Sequence, residues 1–397
     1  MDHAGASDAK DVVIVGAGPA GISTALFLAH EAKSLAGRIV VLEKARFPRD
    51  KPCAGAIGRR AELALEAIGV VVDVPGVTVR GMSASLLDGA VVEAKRGVIG
   101  RVVRRKEFDA ALARAAIERG VTVLEDTRVE RVAWGRDAVS LATSRGEMRA
   151  SVVIGADGVG SIVRRAMGVP FGNLRAQVVE VDTDGVPGDG PRDVLRFDFA
   201  DHALAGYTWD FATVVAGREL VCRGAYVLGG VPSSRKEVDA EAVLDAHLAR
   251  VGRPAERGPR KRFSERGLEL SRPLACRRGL LVGEAAGIDP WVGEGIAQAV
   301  LYGAAAGEYL ADKLCRPRPS VTFRDWRRFL LRKRVGIDLA LRSAVARLFY
   351  GSRRAAFEAA AKEPALLDSC LRYFAGEPSK RAFASASLSA LIRSVQS

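Results

Sequence analysis

The chain has 397 residues, 48% hydrophobic and 27% charged, a globular composition that excludes a mainly disordered protein. At about 150 residues per domain, this length implies two or three structural units with a sizeable core. Its formal charge of +13 would normally suggest a nucleic-acid partner, but residues 316–397 hold 17 Lys and Arg against 6 Asp and Glu, leaving +2 on the first 315 residues.

In chain order, residues 11–15 (DVVIV) form a β-branched run of the kind found in buried parallel strands. A helix is expected over 19–36, with an apolar stripe through Ile22, Ala25, Leu26 and Ala29, and a second strand over 38–42 (RIVVL). Between strand and helix, Gly16, Gly18 and Gly21 make a GxGxxG. Gly16 permits the tight turn, Gly18 lets backbone approach a pyrophosphate, and Gly21 allows close helix–strand packing. The helix N-terminus then offers free N–H groups to phosphate. Glu43 closes the second strand 22 residues after Gly21, where an acid hydrogen-bonds ribose hydroxyls. The pattern fits FAD or NAD and does not choose between them.

Residues 47–58 read as a Pro- and Gly-punctuated loop, 107–119 as an Ala-rich helix, and 121–124 and 151–156 as strands. Gly155, Ala156, Asp157 and Gly158 form a turn, followed by Ser161, Arg164 and Arg165. From about 170 to 275, alternating runs at 176–181, 194–199, 207–211 and 219–228 predict an antiparallel sheet. Alternation places Tyr207, Trp209 and Phe211 on one strand face. Residues 279–312 return to a strand, a Gly-rich turn carrying Glu284, Gly293, Glu294 and Gly295, and an Ala-rich helix. A linker at 316–320 (RPRPS) leads to a tail read as wholly helical. In it Trp326, Leu330, Ile337, Leu341, Val345 and Leu348 recur at helical spacing among arginines. That tail suits a helical cap on the body or a peripheral contact with an anionic membrane. No apolar run reaches the ~20 residues that span a bilayer, and the first ten residues lack a secretory signal. Five cysteines without a CxxC and four histidines without ligand spacing argue against a disulfide framework or a metal, and fit a reducing cytoplasm.

Taken together, GAGPAG (16–21), Glu43, RDKPCAG (49–55), RRKEFD (104–109), GADG (155–158) and VGEAAG…GEGI (282–296) resemble FAD-dependent oxidoreductases of the para-hydroxybenzoate-hydroxylase-like fold. Within that fold the chain looks most like the geranylgeranyl reductase family. The resemblance implies an α/β architecture with a discontinuous Rossmann-like FAD-binding domain (1–75, 101–168, 276–315). It adds an antiparallel β-rich substrate domain (76–100, 169–275) and a basic helical C-terminal region (316–397). It places non-covalent FAD contacts on Gly16, Gly18, Ala20, Gly21, Glu43, Lys44, Cys53, Ala54, Arg105, Val129, Glu284, Gly295 and Ile296. Arg105 would reach the pyrophosphate as a bidentate partner. Tyr207, Trp209, Phe211 and Trp291 would line a pocket for a small apolar substrate, with Cys53 and Tyr207 as candidate proton donors.

The chain departs from the family in carrying Glu284 where Asp is usual and Ala212 where Pro follows the aromatic stretch. The implied reaction is alkene reduction by flavin hydride on an isoprenoid-like or polyketide/aromatic substrate. Alternatives are a flavin monooxygenase or halogenase of secondary metabolism, the latter weakened by the lack of a W-x-W-x-I-P pattern, or a basic binding protein on an FAD scaffold. No second GxGxxG is visible, so NAD(P)H would bind transiently or another carrier would reduce the flavin.

Overall fold

A computed structural model describes residues 10–201, 204–231, 238–254, 256, 258–350 and 364–377. Val12, Val13 and Ile14 are fully buried because their strand, Lys10–Val15, lies inside the first sheet. It pairs in parallel with Ile39–Leu42 on one side and Gly146–Gly155 on the other. The sheet order is Ala275–Cys276, Gly279–Leu281, Gly146–Gly155, Lys10–Val15, Ile39–Leu42, Thr122–Leu124. The hairpin Val129–Trp134 and Val139–Thr143 joins the first half of Gly146–Gly155.

Two helices, Pro19–Glu31 and Gly295–Leu314, pack side by side in the same direction against this sheet. A Cβ on Gly303 would stand 2.6 Å from Ser23 Cβ, and one on Gly307 the same distance from Phe27 Cβ. Glycine is therefore what lets the two backbones approach, and the approach brings both helix N-termini to one end of the sheet. The first helix stops five residues earlier than its periodicity suggests. Ala32 leaves helical geometry, and Lys33–Arg38, weakened by Ser34 and Gly37, continues as a 3₁₀ turn.

The second sheet runs Lys261–Arg266, Arg175–Thr183, Arg218–Gly229, Gly206–Val215, Val194–Asp198, Gly76–Ser85, Val91–Val103, Ala56–Gly58. Its pairings are antiparallel except where Val194–Asp198 meets Gly76–Ser85. The expected alternation holds. Tyr207, Trp209 and Phe211 enter one aromatic core, whereas Thr208 and Asp210 turn to the other face and hydrogen-bond His247. His247 belongs to a helix, Ala240–Arg250, that the β-rich texture concealed. Its signal was an Asp239 cap, which accepts from the Glu241 N–H at 3.0 Å, followed by an apolar i, i+4 pair, Leu244 and Leu248.

The C-terminal segment is built into the body. Phe323, Trp326 and Leu330 are fully buried in the core around the first sheet, and Trp326 donates to the Leu281 carbonyl at 3.2 Å. Thr322 bridges to Arg277, so the tail is not helical from its start. Helix Arg334–Phe349 sends Val345 and Phe349 into the aromatic core, while Ile337 stays exposed. Among the described residues, part of the tail's positive charge meets acid: Lys333 with Glu308, Arg334 with Asp338, Arg342 with Asp289, and Arg347 with Glu269. Residues 351–363 and 378–397, which carry the rest of the helical expectation, lie outside the described residues.

Candidate active site

A cavity of about 510 Å³ is walled by the GxGxxG turn, the 49–53 loop, the 284–296 turn and two residues of the second sheet, Phe263 and Glu265. Eleven of the thirteen residues expected to contact FAD line it: Gly16, Gly18, Ala20, Glu43, Lys44, Cys53, Arg105, Val129, Glu284, Gly295 and Ile296. The other two sit just behind. Gly21 packs beneath the turn, where a Cβ would lie 1.9 Å from the Gly16 carbonyl oxygen, and Ala54 packs against the aromatic core.

Neither helix that points into the cavity has a side-chain cap on its first turn. Apart from the Gly295 N–H, which donates to the Gly293 carbonyl at 2.7 Å, the N–H groups of these first turns remain available to an anionic or carbonyl-bearing ligand. Glu43 is fixed by N–H groups of Ala17 at 3.2 Å and Ala45 at 3.1 Å. Asp109 is wholly buried and holds two guanidiniums, Arg105 through a bidentate pair at 2.7 Å and Arg49 at 3.0 Å. Arg105 is thereby locked near Gly18, whose position leaves 4.0 Å between a built Cβ and the guanidinium. Two uncapped helix starts, a locked guanidinium and a carboxylate at the strand end together fit a dinucleotide's diphosphate and ribose.

The flavin-end candidates are arranged differently from one another. Glu284 reaches Lys51 at 3.5 Å and stands 3.6 Å from the site of a Cβ on Gly158. Asp157, by contrast, caps the short helix Ile162–Ala166, accepting from the Ser161 hydroxyl at 2.5 Å and the Ile162 N–H at 2.6 Å. Cys53 is half-buried, and burial raises its thiol pKa against the lowering influence of Arg105, so the neutral thiol is favoured. Its N–H donates to Glu180 at 2.9 Å. The Tyr207 hydroxyl donates to the Val292 carbonyl at 2.6 Å, and burial pushes its pKa well up. Tyr207, Trp209, Phe211 and Trp291, expected to line the substrate pocket, do not line the cavity; they are packed together in the core behind Gly293, where a Cβ would come 3.3 Å from the Tyr207 oxygen.

The 284–296 turn is braced from the C-terminal helices. Asp289, fully buried, accepts from the Trp291 N–H at 2.8 Å and pairs with Arg342. Glu294 pairs with Arg60 and lies 3.5 Å from Arg342. Arg49, Thr127, Phe263 and Glu265 were missing from the sequence-derived site. Arg49 lay within the quoted RDKPCAG stretch, but the charged edge strand KRFSER carries no local mark of a cavity residue.

Replacing Arg105 by Ala is expected to weaken FAD binding about 10- to 100-fold, the loss of charge-assisted hydrogen bonds. Fluorescence-quenching titration reads this directly. Arg105→Lys should recover only part of it, since an ammonium cannot reproduce the fork; unchanged affinity in the Ala variant would remove Arg105 from the site.

The FAD binding domain family matches residues 9–311. The digeranylgeranylglycerophospholipid reductase 1 of Methanopyrus kandleri is 31% identical over 343 residues, covering 79% of this chain and 83% of that protein. The menaquinone reductase of Mycobacterium tuberculosis is 30% identical, covering 79% and 80%. A geranylgeranyl bacteriochlorophyll reductase-like protein from Thermoplasma acidophilum superposes with a TM-score of 0.70 at 18% identity, covering 97% of this chain and 95% of that one, and shares the fold. With the cavity already fitted to a dinucleotide, these matches make the chain a member of the FAD binding domain family and an FAD-dependent oxidoreductase of the geranylgeranyl reductase group.

Proposed function

We propose that the protein reduces carbon–carbon double bonds of an apolar, isoprenoid-like substrate. The observation that carries this reading is the junction at Gly293. On one side is the cavity fitted to FAD, and on the other, 3.2 Å from a Cβ built there, the Tyr226 ring begins the aromatic core. Large flat side chains beside a redox site suit an unsaturated hydrocarbon chain. The names of the relatives, a geranylgeranyl lipid reductase and a quinone reductase, support the same substrate class.

Bound there, FAD would supply two-electron redox chemistry. The protein's own part is to hold the cofactor through Arg105, Glu43 and the two helix starts, and to keep the Cys53 loop closed on the cavity through the Cys53–Glu180 hydrogen bond. Reducing equivalents would come from NAD(P)H bound transiently or from another two-electron carrier.

Purified protein should show an oxidised-flavin spectrum or acquire one on adding FAD. After anaerobic reduction, a geranylgeranyl phospholipid or menaquinone should restore that spectrum and yield a product heavier by two hydrogens. A colourless protein that takes up no FAD sinks the reading, and an oxygenated product formed when the reduced protein meets substrate and air would reassign it to a monooxygenase.

A further inference from the structure

Glu265 is the buried carboxyl of the cavity wall that the cofactor reading leaves without a task. It stands on the strand Lys261–Arg266, opposite Ala176, and is 7% exposed. Its Oε2 has no hydrogen-bond partner. A Cβ built on Gly293 would lie 3.1 Å from that oxygen, and the same glycine faces the Tyr207 hydroxyl and the Tyr226 ring. The carboxyl therefore sits at the meeting point of the cavity and the aromatic core.

We propose that Glu265 is held there as a neutral carboxylic acid and delivers the proton that completes double-bond reduction; this rests on the reductive reading above. An ionised carboxylate with one oxygen unpartnered at such a depth is costly, whereas the protonated form is an acid with a hydrogen to give. The surrounding groups agree. Burial raises the Glu265 pKa well above the ordinary carboxylate range, Glu284 and Asp289 push it further, and only Lys51 opposes them. Lys51 is already paired with Glu284. Asp289 is paired with Arg342, and Tyr207 and Tyr226 are neutral phenols whose protons go to the Val292 and Pro290 carbonyls. Tyr207 is thereby a poorer donor than its place in the aromatic stretch suggests, and Glu265 takes the role.

The balance is simple. Reduced FAD, when bound, would supply a hydride with its electron pair to one alkene carbon. The Glu265 O–H bond breaks as its proton forms a C–H bond at the other carbon, and the carboxylate left behind recovers a proton from water. NAD(P)H or another two-electron carrier would restore the reduced cofactor.

Two measurements on full-length protein test this. Infrared difference spectra at neutral pH should show the carbonyl stretch of a protonated carboxyl that is absent in Glu265→Gln. This readout needs no cofactor. In anaerobic single-turnover experiments, Glu265→Gln loaded with FAD and reduced by dithionite should be reoxidised by the geranylgeranyl phospholipid about 100-fold or more slowly than wild type. Glu265→Asp should recover part of the rate, and the wild-type rate should fall as pH rises through the raised pKa. Absence of the infrared band, or an unchanged reoxidation rate in Glu265→Gln, overturns the assignment of Glu265 alone. Failure of the wild-type protein to take up FAD overturns the flavin reading and the donor role with it.

Discussion

Arg342→Ala is expected to lower the unfolding free energy by about 3–5 kcal/mol, the cost of stranding a buried charge by removing its partner. Arg342 and Asp289 are both fully buried, and they pair across the interface between helix Arg334–Phe349 and the 284–296 turn. Removing the guanidinium leaves the Asp289 carboxylate without its charge partner and frees one side of Glu294. The turn that presents Gly295 and Ile296 to the cavity should loosen, so FAD affinity should fall together with stability. Denaturant unfolding with and without FAD reads both effects. The exposed pair Arg316–Asp312 provides the contrast, since Arg316→Ala should cost less than about 1 kcal/mol. Equal effects at the two positions would show that the buried pair does not brace the site.

Glu180→Gln should make the protein more stable at alkaline pH and leave it unchanged at acid pH. Glu180 is 2% exposed, and burial raises its pKa from the ordinary 4.5 to about 7, with Asp182 adding to the rise and the Cys53 N–H and Arg104 opposing it. Between those two values the folded chain keeps a proton that the unfolded chain has released. The folded state is then progressively disfavoured as pH climbs from about 4.5 to about 7, by up to about 3 kcal/mol in all. Gln still accepts the Cys53 N–H but does not titrate, so the variant should gain on the order of 2–3 kcal/mol over wild type near pH 8 and nothing near pH 4. Unfolding curves at the two pH values decide it. A difference independent of pH would mean that Glu180 is already ionised in the folded protein.

The nucleotide end of the site was legible in the sequence because its chemistry is local. Gly16, Gly18, Gly21 and Glu43 span 28 residues, and each is required by backbone geometry or by one hydrogen-bond role within a single strand–helix–strand unit. The aromatic face of Tyr207, Trp209 and Phe211 was legible for a similar reason, since strand alternation fixes which side chains share a side. Helix Ala240–Arg250 was hidden by the strands around it, although its cap and apolar spacing were present in the sequence.

The opening charge has changed its meaning. The sequence by itself determined that the excess lies in the last 82 residues and that an FAD-type dinucleotide unit precedes them. Only the tertiary structure decided what that tail does. It buries Trp326 in the core around the first sheet and carries Arg342 to Asp289, 53 residues away in the chain. It also took the packing of two sheets to bring Glu265 to the cavity and leave its oxygen without a partner. A glycine's backbone or a strand's alternation is set by near neighbours. The burial of a charge, and the partner it gains or lacks, is set by residues that meet only after the chain has folded.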